Sequence, residues 1–275
     1  MPVKLFLDFL EKQREAAAAE LEKYKTTQNT ESLHQFRVHL KKLKAGLQVL
    51  ASRKKTRGLQ KARGVVRKVF LEAGEVREKE LIEHWLKRHR MQTILSKKQI
   101  HQHTQKAKAG LSAHYKKYEK KLDKISGFIR EAMLSISDKD LDKYWTSLEK
   151  EWQVNQAMIP PSTQWHDRRK LAKKILYTLN AFPARTRSSL LPARNLNALD
   201  QLQDAIGQWH DEVLLKNWLL QTRRKNAKNE KALTEALSQA LQKINQSLSR
   251  RSAEVSAAFS KTKPARLKLQ VSAGR

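Results

Sequence analysis

Apolar residues recur three and four apart along nearly the whole chain, the spacing that lines one face of an α-helix. Leu5, Phe9 and Leu21 mark a first helix; Leu33, Phe36, Leu40, Leu43, Leu47 and Leu50 mark a second. A third is predicted from about 59 to 90, with further helices over 106–133 and 138–158. The segment Ile-Pro-Pro-Ser-Thr at 159–163 is the clearest interruption, because two prolines stop one helix and Ser162 or Thr163 offers an N-cap for the next. Beyond it the periodicity predicts helices near 163–182, 192–224 and 228–260. The basic end, 263–275, is broken at Pro264 and is expected to be disordered. With only 8 Gly and 6 Pro in 275 residues, the chain lacks the turn formers of a β-sandwich or barrel, so the fold class is all-α.

Two segments return in order and nearly in register. His34-x-x-Arg37-x-x-x-Lys41-Lys42 matches His166-x-x-Arg169-x-x-x-Lys173-Lys174 at an offset of 132. Gly74, Arg77, Glu78, Leu81, Trp85 and Leu86 then fall on Gly207, His210, Asp211, Leu214, Trp218 and Leu219 at an offset of 133. This pattern points to an internal duplication. The expected architecture is two antiparallel helical bundles, 1–159 and 160–262, related by a pseudo-twofold axis. Trp85 and Trp218 read as core anchors, and Trp145, Trp152 and Trp165 are expected to pack likewise.

At 100° per residue, Arg37, Lys41 and Lys44 share a narrow stripe with His34, beside the apolar face of Leu33, Phe36, Leu40, Leu43 and Leu47. Lys42 lies on the other side of His34. In the second copy His166, Arg169, Lys173 and Tyr177 form the stripe, with Lys170 and Lys174 flanking it. Arg168 takes the place of the apolar Phe36, its stem packing while its charge reaches for water. Like charges three and four apart repel and weaken a helix, so a partner or a purpose is implied. Donors at one-turn intervals suit a linear polyanion, with arginine forking onto phosphate and lysine acting as a mobile charge. For His34 and His166 two roles stay open: donating to phosphate when protonated, or holding a neighbour when neutral.

Charge sharpens this picture. Lys+Arg 57 against Asp+Glu 27 gives +30, a field that favours nucleic acid, polyphosphate or an acidic membrane surface. The absence of cysteine rules out disulfide and thiolate chemistry. No stretch approaches the roughly 20 apolar residues of a membrane span, and the first 25 residues lack a signal peptide's apolar run and cleavage site. A soluble, cytoplasmic protein is the expectation.

Other chemistry finds little footing. No Gly-rich phosphate loop is present, and Glu78-x-Glu80 is followed by Ile82 where a triphosphate-cleaving tunnel would need lysine. His34/His39 and His84/His89 are five apart, the wrong helical spacing for shared metal ligation, and His101/His103 point to opposite sides of a helix. No metal and no cofactor are therefore expected. Asp204 and Asp211 share a helical face and are expected to pair with Arg169, Lys173 or His166 rather than to act as an acid–base pair.

The doubled motif resembles the signature of the CHAD family, the conserved histidine α-helical domain. The first copy is His34, Arg37, Lys41, Lys42, Leu43 and Lys44; the second is His166, Arg169, Lys173 and Lys174, closed by Tyr177. Leu202 to Asp211, "LQDAIGQWHD", matches the family's later element. Leu176 stands where the second copy usually has arginine, and Leu71 and Glu78 stand where the first copy of the later element would carry aspartates. The resemblance implies non-enzymatic binding of inorganic polyphosphate on a basic surface or channel built from both histidine helices. The binding residues would be His34, Arg37, Lys41, Lys42, Lys44, His166, Arg169, Lys170, Lys173 and Lys174. Arg77, Tyr177, Asp204, His210 and Asp211 would support them. Association with polyphosphate granules follows from that ligand. The alternative is a nucleic-acid-binding protein using the same basic surface, although no helix-turn-helix, zinc-finger or aromatic-interleaved sheet signature is visible. A phosphoanhydride hydrolase is disfavoured, because no cluster of acidic metal ligands appears.

Overall fold

The computed structural model describes residues 1–53, 56–88, 97–154, 159–226 and 231–262, and among these every regular element is a helix. In chain order they are α1 (Val3–Thr27), α2 (Thr30–Arg53), α3 (Arg57–Arg88), α4 (Lys97–Ser112), α5 (Tyr115–Met133), α6 (Asp138–Val154), α7 (Ser162–Leu179), α8 (Ala184–Leu190), α9 (Ala193–Asn226) and α10 (Lys231–Lys261). The chain divides into two compact units, Met1–Asp142 and Lys143–Arg275, with α6 spanning the division. In the first unit α1 packs on α2 and α5, α2 on α3, and α3 on α4 and α5. In the second, α9 is the central helix, packed on α7 and α10.

The predicted apolar face of α2 is the core of the first unit: Leu33, Phe36, Leu40, Leu43, Leu47 and Leu50 are all fully buried. Burying a side chain of this size stabilises the fold by about 1.5–3 kcal/mol. α1 differs by a small rotation. Its buried stripe is Phe6, Leu10, Gln13, Ala17, Leu21 and Tyr24, so Leu5 faces outward at 38% exposure and Phe9 is half-buried. The polar Gln13 keeps its place because its Oε1 lies 2.9 Å from His39 Nδ1, giving that buried carbonyl a donor.

Trp145, Trp152 and Trp165 are buried as expected, and Trp165 donates its indole N–H to the Pro160 carbonyl at 2.8 Å. Trp85 and Trp218 are only half-buried. The core positions belong instead to the neighbouring Leu86 and Leu219, both fully buried, which leaves each tryptophan turned about 100° away. The region 106–133 is two helices, with a turn at Ala113–His114 between α4 and α5, and the short α8 has no counterpart in the expectation. Pro161, not Ser162 or Thr163, occupies the N-cap of α7, in extended backbone and with no side-chain cap. The predicted ends at 90 and 158, His89 and the 263–275 tail lie outside the described residues, as do the side chains of His101 and His103.

Candidate functional site

In the first unit the row on α2 is organised by a single point on α3. Arg37 donates from Nη1 to the carbonyl of Phe70 at 2.9 Å. Inside a helix that carbonyl already accepts the N–H four residues on, which is Gly74. A side chain at 74 would shield it: a Cβ built there would sit 2.8 Å from Arg37 Nη1. Glycine leaves the carbonyl open for a second donor. The Arg37 guanidinium also lies 4.4 Å from the Phe70 ring centroid, with Lys44 Nζ at 5.4 Å and Lys41 Nζ at 5.8 Å. These are cation–π distances, so one aromatic face gathers three of the four stripe residues.

Burial, and then the neighbouring Arg77, push Arg37 down to about 10, so it stays charged at neutral pH. His34 is held below the usual histidine value by burial first and by Arg77 next, with Lys41 and Arg37 acting in the same sense and Glu31 opposing. Lys42 is beside His39, off this row, as its angle on the helix requires.

The second unit repeats the strut. Arg169 donates from Nε to the carbonyl of Gln203 at 3.2 Å, and a Cβ at Gly207, four residues on, would sit 2.7 Å from Nη2. What surrounds the strut differs. The His166 and His210 rings are 5.0 Å apart between centroids and tilted by 36°. Both are held below the usual histidine value, by burial first; Lys170 is the next influence on His166, and His166 itself the next on His210. Burial pushes Tyr177 up to about 12, with Arg169 opposing and Asp200 and Asp204 adding to it. Lys170 pairs with Asp167 at 3.0 Å, and Lys174 lies 3.9 Å from Glu151 of α6.

Asp204 and Asp211, expected to pair with Arg169, Lys173 or His166, have the following surroundings. Arg169 takes a backbone carbonyl, and the Asp204 carboxylate accepts a short hydrogen bond from the Gln203 amide. Burial and Asp200 push Asp204 up, while the Gln203 hydrogen bond, Lys173 and Arg169 pull it down. Asp211 is exposed beside His210.

Arg77 and His210 thus occupy matched places, each against the histidine of its own unit. Phe70 is the participant that periodicity did not single out, since it reads as one more apolar residue of α3. Gly74 and Gly207 were visible as an aligned pair, but their role as clearance for an arginine required the second helix to be seen. Among the described residues no three His, Asp or Glu side chains gather as metal ligands, and no helix is long and apolar enough to cross a membrane.

No curated protein matches the chain. The crystal structure of the CHAD domain from the plant Ricinus communis is similar in fold, with a TM-score of 0.71 at 16% identity, covering 94% of this chain and 91% of that one. The sequence profile of the CHAD domain matches residues 8–220, which include both histidine helices, both glycine struts and both of the groups that face the histidines. The chain therefore belongs to the CHAD domain family.

Proposed function

We propose that this protein binds inorganic polyphosphate without chemically altering it, through the basic rows of α2 and α7. CHAD domains are associated with polyphosphate binding in general. The observation that carries the reading is the arginine strut found in both units, Arg37 on the Phe70 carbonyl and Arg169 on the Gln203 carbonyl. A guanidinium has five N–H donors, and each strut occupies one of them. The side chain is held in place while the rest of its fork remains for phosphate oxygens. Preorganised donors lose less freedom when a ligand arrives. Lys41 and Lys44 in one unit, and Lys173 in the other, extend the row by about one turn per contact, which suits a flexible chain of phosphates. Catalysis is not part of the proposal, and neither is a cofactor.

The field of +30 also attracts nucleic acid, so the test is a competition. Long-chain polyphosphate and duplex DNA, compared at the same phosphate concentration, are titrated against the full chain over a salt series. Affinity for polyphosphate should fall log-linearly as salt rises, as it does for proteins that neutralise phosphates. Polyphosphate should displace DNA at physiological salt, and its chain length should be unchanged after incubation with magnesium. DNA displacing polyphosphate would make nucleic acid the better reading, and shortening of the polymer would overturn binding without catalysis.

A further inference from the structure

A second feature of the first unit stands beside the α2 row. A cavity of about 420 Å³ is lined by Thr30 of α2, Arg77, Glu80 and Lys87 of α3, and Thr104 and Lys108 of α4. Lys87 is engaged by Glu83 at 2.8 Å, and Glu83 and His84 line the cavity as well. The notable member is Glu80, a carboxyl only 8% exposed. Its Oε1 accepts from Thr30 Oγ1 at 3.4 Å. Lys108 Nζ is 3.8 Å from Oε1 and Arg77 Nη1 is 3.7 Å from Oε2, so both cations balance its charge from beyond hydrogen-bonding distance. Oε2 has no hydrogen-bond partner among the described residues. Buried carboxylate oxygens left without a donor are costly and uncommon.

Apart from His84 and the Glu83–Lys87 pair, the lining therefore offers two cations, Arg77 and Lys108, and one acceptor that wants a donor. A matching ligand carries oxyanion charge and an O–H on the same group. The interior phosphates of a chain have no O–H, sulfate has none at neutral pH, and a ligand carboxylate has charge without a donor. A monohydrogen phosphate has both. We propose that this cavity seats a hydrogen phosphate group, its oxygens on Arg77 and Lys108 and its P–O–H directed to Glu80 Oε2. The group is either the end of a phosphate chain or free orthophosphate. Seating a chain end rests on the polyphosphate reading above; seating orthophosphate does not.

Position favours the chain end. Arg77 lines the cavity and also stands next to His34 and Arg37, so one guanidinium joins the row to the cavity. A polymer lying on α2 that enters the cavity with its terminal unit would bring a P–O–H to Glu80. Burial drives the Glu80 carboxyl up while Lys108 and Arg77 draw it down, which suits one proton shared between carboxylate and phosphate.

The test uses the intact chain in metal-free buffer at fixed salt and neutral pH. Calorimetry compares linear tripolyphosphate, which has two ends, cyclic trimetaphosphate, which has none, orthophosphate and long-chain polyphosphate, on the wild type and on Glu80→Gln. Wild type should prefer the linear to the cyclic form by at least about tenfold, the scale of one charged hydrogen bond. Glu80→Gln removes a negative charge, so a purely electrostatic field would tighten every ligand. The proposal instead requires the linear-to-cyclic ratio to collapse. An unchanged ratio, or a rise in it, overturns the proposal.

Tripolyphosphate binding more tightly than orthophosphate identifies a chain end as the occupant; equal binding identifies free phosphate. Should the variant fail to fold, phosphorus NMR of tripolyphosphate on the wild type decides the matter. Terminal resonances that shift and titrate differently on binding support the cavity; a response confined to the central resonance overturns it. Long-chain binding retained with an unchanged ratio sinks this inference alone. Long-chain binding absent, with the Glu80-dependent ratio intact, sinks the polyphosphate reading alone.

Discussion

The helices α2 and α7 carry the same motif on different surroundings. Both anchor the motif arginine on the carbonyl that precedes a glycine by four residues, Phe70 before Gly74 and Gln203 before Gly207. Around α2 the cations are permanent and gathered on an aromatic ring: Arg37, Lys41 and Lys44 on Phe70, with Arg77 against His34. Around α7 the ring is replaced by Gln203, Lys44 by Leu176 and Arg77 by His210, and the carboxylates Asp200 and Asp204 act on the site. What is shared is what fixes an arginine in space. What differs is how much charge stands with it, and whether that charge depends on pH. On the proposed reading, the α2 row, with one histidine among its cations, should hold polyphosphate more strongly and with less dependence on pH than the α7 row, where two histidines face each other.

The largest effect should come from reversing charge within one row at a time. Arg37→Glu with Lys41→Glu is expected to weaken long-chain polyphosphate binding more than Arg169→Glu with Lys173→Glu. Two charged hydrogen bonds at about 1.5–3 kcal/mol each correspond to a loss of roughly two to four powers of ten for the first pair. A control reversing the exposed Lys116 and Lys120 of α5 changes net charge equally and should cost far less. Fluorescence anisotropy with end-labelled polyphosphate reads all three, after circular dichroism has checked the fold. Equal losses in the three proteins would mean that only the overall field matters.

A smaller and more pointed effect is expected at the glycines. Alanine in a helix interior is worth up to about 1 kcal/mol over glycine. At position 74 that gain is opposed, because the new Cβ displaces the Arg37 guanidinium from the Phe70 carbonyl. Gly74→Ala and Gly207→Ala should therefore leave the melting temperature nearly unchanged while lowering affinity by roughly tenfold, about one charged hydrogen bond. Alanine at Gly64 of α3, where a Cβ meets nothing within 4 Å, is the control and should raise the melting temperature without touching affinity. Lower stability together with unchanged affinity in the two strut variants would make the arginines architectural only.

Much of this was legible in the chain, for identifiable reasons. Long helices announce themselves because a core-facing stripe must repeat, and Leu33 to Leu50 all proved to be core. The α4–α5 turn was invisible because Ala113 and His114 are not turn formers. α8, with seven residues, is too short to establish a period. Leu5 was misplaced because α1 has apolar residues on two adjacent faces, and only packing selects Phe6 and Leu10. The motif spacing singled out Arg37 and Arg169, each of which donates to a backbone carbonyl of another helix. It could not locate Phe70, which lies 33 residues from Arg37 and looks like any core residue. Nor could it find Glu80 in its cavity, because burial of a carboxylate depends on which helix covers it.

The finest test of the comparison concerns pH. His166 and His210 face each other among Asp167, Arg169, Lys170 and Lys173 of α7 and Asp211 of α9, and burial leads both below the usual histidine value. A histidine whose folded value is lowered binds fewer protons than it does unfolded, so the second unit loses stability as pH falls through the usual histidine range and below. A bound polyanion reverses the balance, because protonated rings then gain a counter-charge. Binding should take up protons near neutral pH, and affinity should rise as the medium is acidified. Calorimetry of long-chain polyphosphate in buffers of different ionisation enthalpy counts those protons, with chain ends too few to contribute. His210→Arg makes the second unit like the first, and should reduce proton uptake and flatten the affinity profile between pH 8 and pH 6. Arg77→His makes the first unit like the second, and should steepen that profile. One exposed charge contact is worth up to about 1 kcal/mol, so each swap is expected to move the profile by no more than about fivefold. Because the substitutions act in opposite directions, a general change in stability cannot imitate the pair. Profiles that shift together, or proton uptake indifferent to both, would show that the histidines orient their neighbours without meeting the ligand's charge.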